Sequence, residues 1–417
     1  MRLALRNPKT PDRRRSHNLK IAAIIGEFNP FHNGHRLIIQ RAHELGADRV
    51  IVLMSGDFVQ RGLPAITDSH TRAHMALLGG ADAILWYPAR FSSSSAESFA
   101  SHAVDILNGL GCVDMLVFGS ESGDLSRMSA LADILADEPE DYRQKLREGL
   151  KAGLSFPKAR AEAIPEYADL ISSPNNILGV EYLKALKRTG SKIKPFTCVR
   201  EGSSYLDDST LGALSSAASV RRALAQGNHF PGLEIAVPKD CLDVLRKDLG
   251  IYGVTNENDF SLLLAERLWQ VGEPFLLTKF ADVTEDLANT IFKKRGMFLN
   301  FDDFADRCVS KSLTKTHVYR AFLHIVLDVQ KNSLLDGARL TQVLGFRKES
   351  TDVISKIQTC AEIPVIMNPP AEKDRLPDAE RKLFEDELRI SSLYEMVRAQ
   401  KVGRPVRNVL TKELIKV

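Results

Sequence analysis

IAAIIGEFNPFHNGH, residues 21–35, is an apolar run followed at once by a cluster of glycine, proline, asparagine and histidine residues. The apolar run predicts a buried strand, and a turn after it needs only one or two residues of these types. In an open α/β sheet, ligands lie beyond the carboxyl ends of the strands, where loops lead into helices. The stretch therefore predicts the first strand of such a sheet, with a ligand-binding loop at its end.

The residues that follow alternate between continuous apolar runs and helical patterns. Further strands are predicted at residues 48–56, 83–88, 114–121 and 194–200, and helices at residues 35–45, 69–78, 95–111 and 215–227. Continuous apolar strands are typical of a parallel sheet that helices cover on both faces. Strand–helix–strand units of roughly 30 residues therefore predict a doubly wound α/β domain.

Three segments are predicted along the chain. Residues 1–20 hold seven Lys or Arg against one Asp and are interpreted as a disordered extension or an over-long start, the alternative being an arm that contacts RNA. Residues 21–228 form the α/β domain, and glycine, proline and asparagine cluster near its end at residues 226–238. Residues 229–417 are expected to form a mainly α-helical domain, in which residues 362–370 (EIPVIMNPP) add a short strand or an ordered connection.

Composition excludes several classes of protein. The 417 residues are 44% hydrophobic and 26% charged, which is ordinary for a globular protein. No apolar run reaches the roughly 18 residues of a membrane span, so no membrane association is expected. The five cysteines are scattered singly, which argues against a zinc ribbon or a disulfide framework and favours the reducing cytoplasm.

The loop after the first strand has the composition of an anion site. The helix that begins near Asn33 offers unpaired N–H groups and the positive end of its dipole. His32 and His35 are three residues apart, so both can face one phosphate chain from the first helical turn. Imidazole N–H donors there stabilise the charge that builds when a nucleophile attacks the α-phosphate of a nucleoside triphosphate. The spacing of a P-loop is absent, so γ-phosphate transfer is not expected.

Two motifs carry a family resemblance. GEFNPFHNGH, residues 26–35, resembles the GxFxPxHxGH signature of the HIGH-type nucleotidyltransferase superfamily, which includes class I aminoacyl-tRNA synthetases and cofactor adenylyltransferases. SSAASVR, residues 215–221, resembles the second signature of that superfamily, a Ser-Ser-Thr-x-x-Arg helix start that grips the triphosphate. The resemblance implies that His32 and His35 are catalytic and that Ser216 and Arg221 contact ATP.

Further strings resemble a narrower family, the bacterial tRNA(Met) cytidine acetate ligases. They are MSGDFVQRGLPAI, SAESFA, FGSESGD, SPNNILGVEYLKAL, RRALAQG and VLGF. The resemblance implies that ATP, with Mg2+ carried on it, and acetate form acetyl-adenylate and release pyrophosphate. The acetyl group would then pass to the exocyclic amine of the wobble cytidine of elongator tRNA(Met).

The same resemblance implies a set of ATP contacts. A continuous stretch supplies Ile25, Gly26, Glu27, Phe28, Asn29, Pro30, Phe31, His32, Asn33, Gly34, His35, Arg36, Leu37 and Ile38, and single contacts fall on Gly119, on Asn175 or Asn176, and on Arg200. Capping of a helix would explain one of the two asparagines, and Asn175 is preferred as the contact. At the end of its predicted strand, Arg200 can hold phosphate through two hydrogen bonds, the alternative being a salt bridge at the rim.

The loop after the second strand lies on the same predicted rim. Asp57, Gln60 and Arg61 are assigned to the pocket for acetate and the acceptor, with Arg61 as a carboxylate partner. A solvated loop with similar residues is the alternative. The remaining histidines and the cysteines are interpreted as core or helix-face residues, and no cluster has the spacing of metal ligands.

A basic cluster in the helical half is assigned to tRNA. Residues 293–331 hold eight Lys or Arg against four Asp, an excess that suits a phosphate backbone. The predicted contacts are Lys293, Lys294, Arg295, Lys311, Lys315 and Arg320. A solvated helix face is the alternative, and Ser312 and His317 stand where basic residues are common in the family.

Two other functions share part of this pattern. A small-molecule cofactor adenylyltransferase would use the same histidines, but it would leave the C-terminal half without a task. A non-catalytic, nucleotide-gated RNA-binding protein would not need both histidines. Neither the motifs nor the composition indicates an obligate protein partner.

Overall fold

A computed structural model describes residues 19–200, 211–226 and 232–417. The predictions for residues 1–18 and for residues 227–231 of the domain boundary lie outside this range. The strands of the described residues are β1 (Ile21–Gly26), β2 (Arg49–Ser55), β3 (Phe58–Val59), β4 (Leu63–Pro64), β5 (Ala83–Tyr87), β6 (Met115–Ser120), β7 (Lys194–Val199), β8 (Thr341–Phe346), β9 (Val365–Ile366) and β10 (Ile415–Lys416).

Helices connect and cover these strands. In the described residues they are α1 (Asn33–Glu44), α2 (Ser69–Leu78), α3 (Ala89–Ser92), α4 (Ala96–Gly109), α5 (Leu125–Asp137), α6 (Glu140–Lys151), α7 (Phe156–Ala163), α8 (Pro174–Arg188), α9 (Ala217–Gln226), α10 (Leu233–Ala236), α11 (Lys239–Tyr252), α12 (Ser261–Gln270), α13 (Glu285–Lys294), α14 (Phe301–Cys308), α15 (Lys315–Leu327), α16 (Thr351–Cys360), α17 (Pro369–Glu372) and α18 (Asp378–Lys401).

The central sheet confirms the predicted α/β class. Its strands lie in the order β10-β8-β5-β2-β1-β6-β7, with β9 paired to β8. From β5 to β7 all neighbours are parallel, and β1 pairs with β2 along its whole length, from Ile21 opposite Arg49 to Gly26 opposite Met54. Because β1 is central, its apolar side chains are buried on both faces. The loop after β1 therefore opens at the middle of the carboxyl edge.

The C-terminal half contributes an edge to this sheet, which the sequence analysis did not predict. Strand β8 pairs antiparallel with β5, and β10 pairs parallel with β8, so the sheet is mixed rather than fully parallel. Six residues in a region of helical spacing gave no indication of this pairing, because their partners are more than 250 residues away in the sequence. The short strand predicted within residues 362–370 is present as β9.

A separate helical unit packs beside the carboxyl edge of the sheet. Helices α12 to α15 and part of α18 enclose a second apolar core, which includes Phe301, Phe304 and Phe322. Gly62, in the loop after β3, has φ +75°, and a Cβ there would lie 2.3 Å from the backbone nitrogen of Arg320 in α15. This close approach fixes the loop of Gln60 and Arg61 against the helical unit.

None of the helices in the described ranges is both long enough and apolar enough to cross a membrane.

Candidate active site

The two histidines of the β1 loop form a capping box at the start of α1. His32 is the N-cap, and its Nδ1 accepts a hydrogen bond from the Gly34 N–H at 3.0 Å. The Nδ1 of His35 accepts one from the His32 N–H at 3.3 Å, and the two ring centroids are 3.8 Å apart. Since Nδ1 accepts in both rings, each neutral imidazole carries its proton on Nε2. The buried Nε2 of His32 has no hydrogen-bond partner among the described residues.

Gly34 makes this arrangement possible. A Cβ at Gly34 would lie 2.8 Å from Cε1 of His32 and 3.0 Å from its Nδ1. Phe28 and Phe31 pack against the His35 ring, with centroid distances of 4.5 Å and 5.7 Å. Gly34 thus leaves room for the His32 ring, and the two phenylalanines hold the His35 ring in place.

Electrostatics keep both imidazoles neutral. Burial, followed by the guanidinium groups of Arg200 and Arg221, lowers the pKa of His32 to about 3. Burial, His32 and the same two arginines hold the pKa of His35 well below its usual value. At neutral pH the histidines therefore act as N–H donors rather than as cations, and the positive charge comes from the arginines.

Arg200 and Arg221 both lie near the two histidines but belong to different elements of the fold. Arg221, in α9, donates from Nη1 to the backbone oxygen of Asn29 at 2.7 Å. Arg200 follows β7, and a Cβ at Gly119 would lie 3.0 Å from its Cγ. Burial lowers the pKa of both guanidinium groups, and neither forms an ion pair with a carboxylate of the described residues. Two half-buried cations without an ion-pair partner among the described residues favour the binding of an anion.

These groups line a cavity of about 460 Å³ at the carboxyl edge of the sheet. Of the predicted residues, its walls include Ile25, Gly26, Glu27, Phe28, Asn29, His32, His35, Ile38, Gln60, Arg61, Gly119, Asn175, Arg200, Ser216 and Arg221. A second cavity of about 410 Å³ lies between α1 and β7, where Gly34 and Leu37 line it. The two cavities share His32, Ile38 and Arg200.

Besides Asn176, four predicted ATP contacts line neither cavity. Pro30 and Phe31 are buried in the loop, and Arg36 is exposed on α1. Asn33 donates from its side chain to the backbone oxygens of Ala213 and Ile235 at 3.2 and 2.7 Å, which ties the start of α1 to the segments around α9 and α10. Their neighbours in the motif line the cavities, while Pro30, Phe31 and Asn33 support the loop.

The structure distinguishes the two asparagines at the start of α8. The Asn176 side chain is buried, and its oxygen accepts from the backbone N–H groups of Glu121 and Ser122 at 3.0 and 3.1 Å. Asn175 lines the first cavity, and its side-chain oxygen is 3.4 Å from Nη1 of Arg200. Asn176 therefore holds the loop after β6, and Asn175 faces the ligand space.

The three residues assigned to the acetate and acceptor pocket separate in the structure. Asp57 is buried, and its carboxylate accepts from the Ser69 N–H at 2.7 Å rather than lining the cavity. Gln60 and Arg61 do line it. The Gln60 side chain donates to the backbone oxygen of Ser94 at 3.1 Å, whereas Arg61 is exposed. The turn through β3 and β4 directs Asp57 toward α2, which the local sequence does not reveal.

Arg72 supports the site although the sequence analysis did not single it out. Its buried guanidinium donates to the backbone oxygens of Glu27 at 2.6 Å, Ser55 at 3.1 Å and Gly56. It thereby fixes the carboxyl ends of β1 and β2. An arginine within an otherwise amphipathic helix gives no sign of this role. Phe99, Phe118 and Tyr182 also line the cavity, and their apolar spacing resembled that of ordinary core residues.

Four of the six residues predicted to bind tRNA are engaged within the protein. Lys315 is 2.6 Å from Asp302, and Arg320 is 3.2 Å from Asp282. The Arg295 guanidinium lies over the Trp269 and Phe292 rings and donates to a carbonyl, and Lys294 donates to another carbonyl. Lys293 and Lys311 are exposed and have no ion-pair partner among the described residues.

The described part of the chain contains no group of three or more His, Cys, Asp or Glu residues that could hold a metal ion.

Comparison with known proteins places this geometry in a family. The model of the HIGH Nucleotidyl Transferase family matches residues 19–407. The tRNA(Met) cytidine acetate ligase of Thermoanaerobacter sp. (strain X514) is 35% identical over 386 residues, which cover 90% of this chain and 95% of that protein. The tRNA(Met) cytidine acetate ligase of Acetivibrio thermocellus is 34% identical over 415 residues, which cover 95% and 100%.

Solved structures extend the similarity to the fold. The crystal structure of Thermotoga maritima TmcAL bound with alpha-thio ATP has a TM-score of 0.85 and 26% sequence identity, and the match covers 95% of this chain and 99% of that one. The apo form of the same protein has a TM-score of 0.86 and 27% identity, with the same coverage.

Proposed function

We propose that this chain, which belongs to the tRNA(Met) cytidine acetate ligases within the HIGH nucleotidyl transferase family, activates acetate with ATP and acetylates a tRNA cytidine. The acceptor would be the exocyclic amine of the wobble cytidine in elongator tRNA(Met). Family membership and the ATP analogue bound to the Thermotoga maritima protein support ATP as the co-substrate. As a tRNA-modifying enzyme, the protein would act in the cytoplasm.

The observation that carries the proposal is the set of donors around one cavity. The Nε2 of His32 is a buried donor without a partner among the described residues, and Arg200 and Arg221 are half-buried cations beside it. In the first step, a carboxylate oxygen of acetate attacks the α-phosphorus, and the bond from that phosphorus to the bridging oxygen breaks. Pyrophosphate leaves with the electron pair. The donors stabilise the charge on both groups.

The two cavities suggest how ATP is divided between them. The triphosphate would lie at their shared wall, where His32 and Arg200 face both spaces. The adenine and ribose would then enter the cavity between α1 and β7, where Gly34, Leu37 and Val199 provide uncharged surface and Arg41 and Glu44 also line the wall. A divalent cation, Mg2+ in the cell, would arrive with the triphosphate, since the described residues offer no cluster of ligands for it.

In the second step, the cytidine amine attacks the acetyl carbon, AMP leaves with the acyl oxygen, and the amine loses a proton. We propose that adenylation uses residues 21–228, because each proposed ATP contact precedes residue 229. The helical unit beyond it would bind tRNA, and the exposed Lys293 and Lys311 are two of its cations that have no ion-pair partner in the described range. The contact between Gly62 and Arg320 would hold this unit against the rim loop that the tRNA must reach.

Reconstitution with purified protein tests the proposal. ATP, labelled acetate, a divalent cation and tRNA should yield labelled acetylcytidine, identified by nucleoside mass spectrometry, without acetyl-CoA. Labelled acetyl-CoA should give no product in the same assay. If acetyl-CoA supplied the label and acetate did not, the ligase function would be wrong.

A further inference from the structure

The first cavity has an end lined mostly by apolar and aromatic side chains, in contrast to the end at Arg200 and Arg221, and Glu27 also lines the cavity. Phe99 of α4, Phe118 of β6, and Leu178 and Tyr182 of α8 line this end. The Tyr182 ring is 6.5 Å from the Phe99 ring and 5.7 Å from the Phe118 ring, measured between centroids. The cavity thus passes from a cationic end to an aromatic end.

One face of helix α8 contributes side chains to both ends of the cavity. Asn175, Leu178 and Tyr182 are three and four residues apart, a spacing that places them on one side of a helix. Asn175 faces Arg200, and Tyr182 lies seven residues later, which is roughly 10 Å along the helix axis. Tyr182 therefore lies about two helical turns beyond Asn175, and its side chain, which on a helix leans toward the N-terminus, shortens the distance to the phosphate end.

One hydroxyl group distinguishes this aromatic cluster from ordinary core packing. Buried tyrosines usually find a hydrogen-bond partner. The Tyr87 hydroxyl donates to the Phe99 backbone oxygen at 2.6 Å, and the Tyr394 hydroxyl donates to the Ala65 backbone oxygen at 2.6 Å. Tyr182 is only 5% exposed, yet its hydroxyl has no such partner among the described residues. Burial and the Glu27 carboxylate raise the pKa of Tyr182, so its hydroxyl remains a donor.

We propose that the aromatic end is the pocket for a short carboxylic acid, in which Tyr182 donates a hydrogen bond to the carboxylate and the apolar side chains enclose the alkyl group. This inference rests on the proposed function, and it names the residues that select the acid. The carboxylate oxygen that is not held by Tyr182 attacks the α-phosphorus. Leu178 and Phe99 limit the chain length, so acetate and propionate fit better than longer acids.

Tyr182→Phe tests the hydroxyl, with Tyr394→Phe as the matched control because the Tyr394 hydroxyl is bonded to the Ala65 backbone oxygen and Tyr394 does not line the cavity. In acetate-dependent ATP–pyrophosphate exchange, Tyr182→Phe should raise the KM for acetate about tenfold or more, since hydrogen bonds to charged groups are strong. The KM for ATP should stay within about twofold in Tyr182→Phe, and in Tyr394→Phe both the KM for acetate and the KM for ATP should stay within about twofold. An unchanged KM for acetate in Tyr182→Phe would overturn the inference. So would a defect confined to tRNA acetylation, which would assign this end to the cytosine base.

Leu178→Ala tests the size limit, with Leu183→Ala as the control because Leu183 is buried on α8 away from the cavity. The preference for butyrate relative to acetate should rise by at least about fourfold per added methylene in Leu178→Ala only. If the preference for butyrate relative to acetate were the same in Leu178→Ala and Leu183→Ala, the proposed pocket would be wrong.

Binding of 13C-acetate, measured by NMR with a non-hydrolysable ATP analogue, separates this inference from the proposed function. Binding that is weaker in Tyr182→Phe than in the unaltered protein supports the pocket even if no exchange occurs. Equal binding in the two proteins would overturn the pocket while leaving exchange, and hence the ligase function, intact.

Discussion

Arg221 donates a hydrogen bond to the backbone oxygen of Asn29 at 2.7 Å and so joins two motifs that are 192 residues apart. Asn29 belongs to the loop after β1, and Arg221 lies on the first turns of α9. The bond places the guanidinium beside the His32 and His35 rings, where it helps to lower the pKa of both. The relationship explains why the two motifs must occur together.

Replacing Arg221 by lysine should impair adenylation although the charge is kept. Lysine lacks the planar fork that can hold Asn29 and a phosphate at once. We expect acetate-dependent pyrophosphate exchange to fall roughly 100-fold, the scale seen when one transition-state donor is removed. Arg222→Lys, at the exposed neighbouring position, should retain exchange. Equal losses in the two variants would show that Arg221 has no special role.

Gly34→Ala should displace the His32 ring. The new Cβ would lie 2.8 Å from Cε1 of His32, so the ring or the helix start must shift. Exchange should fall by about tenfold or more, since one donor leaves its position. The control is Gly250→Ala in α11, where nothing lies within 4 Å of the added Cβ. That variant should keep its activity and gain about 0.5–1 kcal/mol in stability. Normal exchange in Gly34→Ala would contradict the role given to His32.

The protein should lose stability on acidification because His32 is buried in its neutral form. Its pKa of about 3 in the folded protein lies below the usual value of 6.5. The folded state therefore binds fewer protons, so this contribution is complete above about pH 6.5 and is lost as the pH falls toward 3. At pH 4.5 the loss from this one group is about 2–3 kcal/mol.

His32→Asn provides the comparison, because asparagine is also a good N-cap but does not titrate. The difference in unfolding free energy between pH 7 and pH 4.5, measured with denaturant, should be smaller in this variant by about 2–3 kcal/mol. The same pH dependence in both proteins would show that His32 is not held neutral.

Lys293 and Lys311 should contribute to tRNA binding. The double alanine variant should bind tRNA more weakly, and the slope of log affinity against log salt should fall by about 1.4–1.8 if each lysine contacts one phosphate. Exchange measured without tRNA should not change. The matched control replaces Lys145 and Lys151, which are exposed on α6, by alanine. This double variant should bind tRNA normally. Unchanged binding in the first variant would move the tRNA surface elsewhere.

The part of the fold around β1 could be predicted because its information is local. The apolar run from Ile21 and the histidines at the start of α1 specify a strand, a loop and a helix cap within a few residues. The antiparallel pairing of β8 with β5 could not be predicted, because its partner is set by the packing of the whole chain. The sequence also does not reveal how Arg295 packs. Its charge suggested a contact with RNA, whereas in the structure its guanidinium lies over the Trp269 ring.

Within the site, whether a side chain's place at the cavity could be predicted depends on what that side chain does. His32 and Arg200 are polar residues next to glycine or at a strand end, and both line the predicted cavity. Tyr182 has the spacing of a core residue, so the sequence gives no sign that its side chain lines a cavity. Asp57 lies in the loop that borders the cavity, but its carboxylate accepts a hydrogen bond from the Ser69 backbone N–H at the start of α2.

Oxygen transfer from acetate to AMP tests the central claim most directly. Acetate labelled with 18O in both carboxylate oxygens would be incubated with the purified protein, ATP, a divalent cation and tRNA, and the products would be analysed by mass spectrometry. If acetyl-adenylate is the intermediate, each acetylcytidine should be accompanied by one AMP that carries a single 18O, and pyrophosphate should carry none. Label in inorganic phosphate, or unlabelled AMP alongside acetylcytidine, would contradict the proposed attack of acetate on the α-phosphorus.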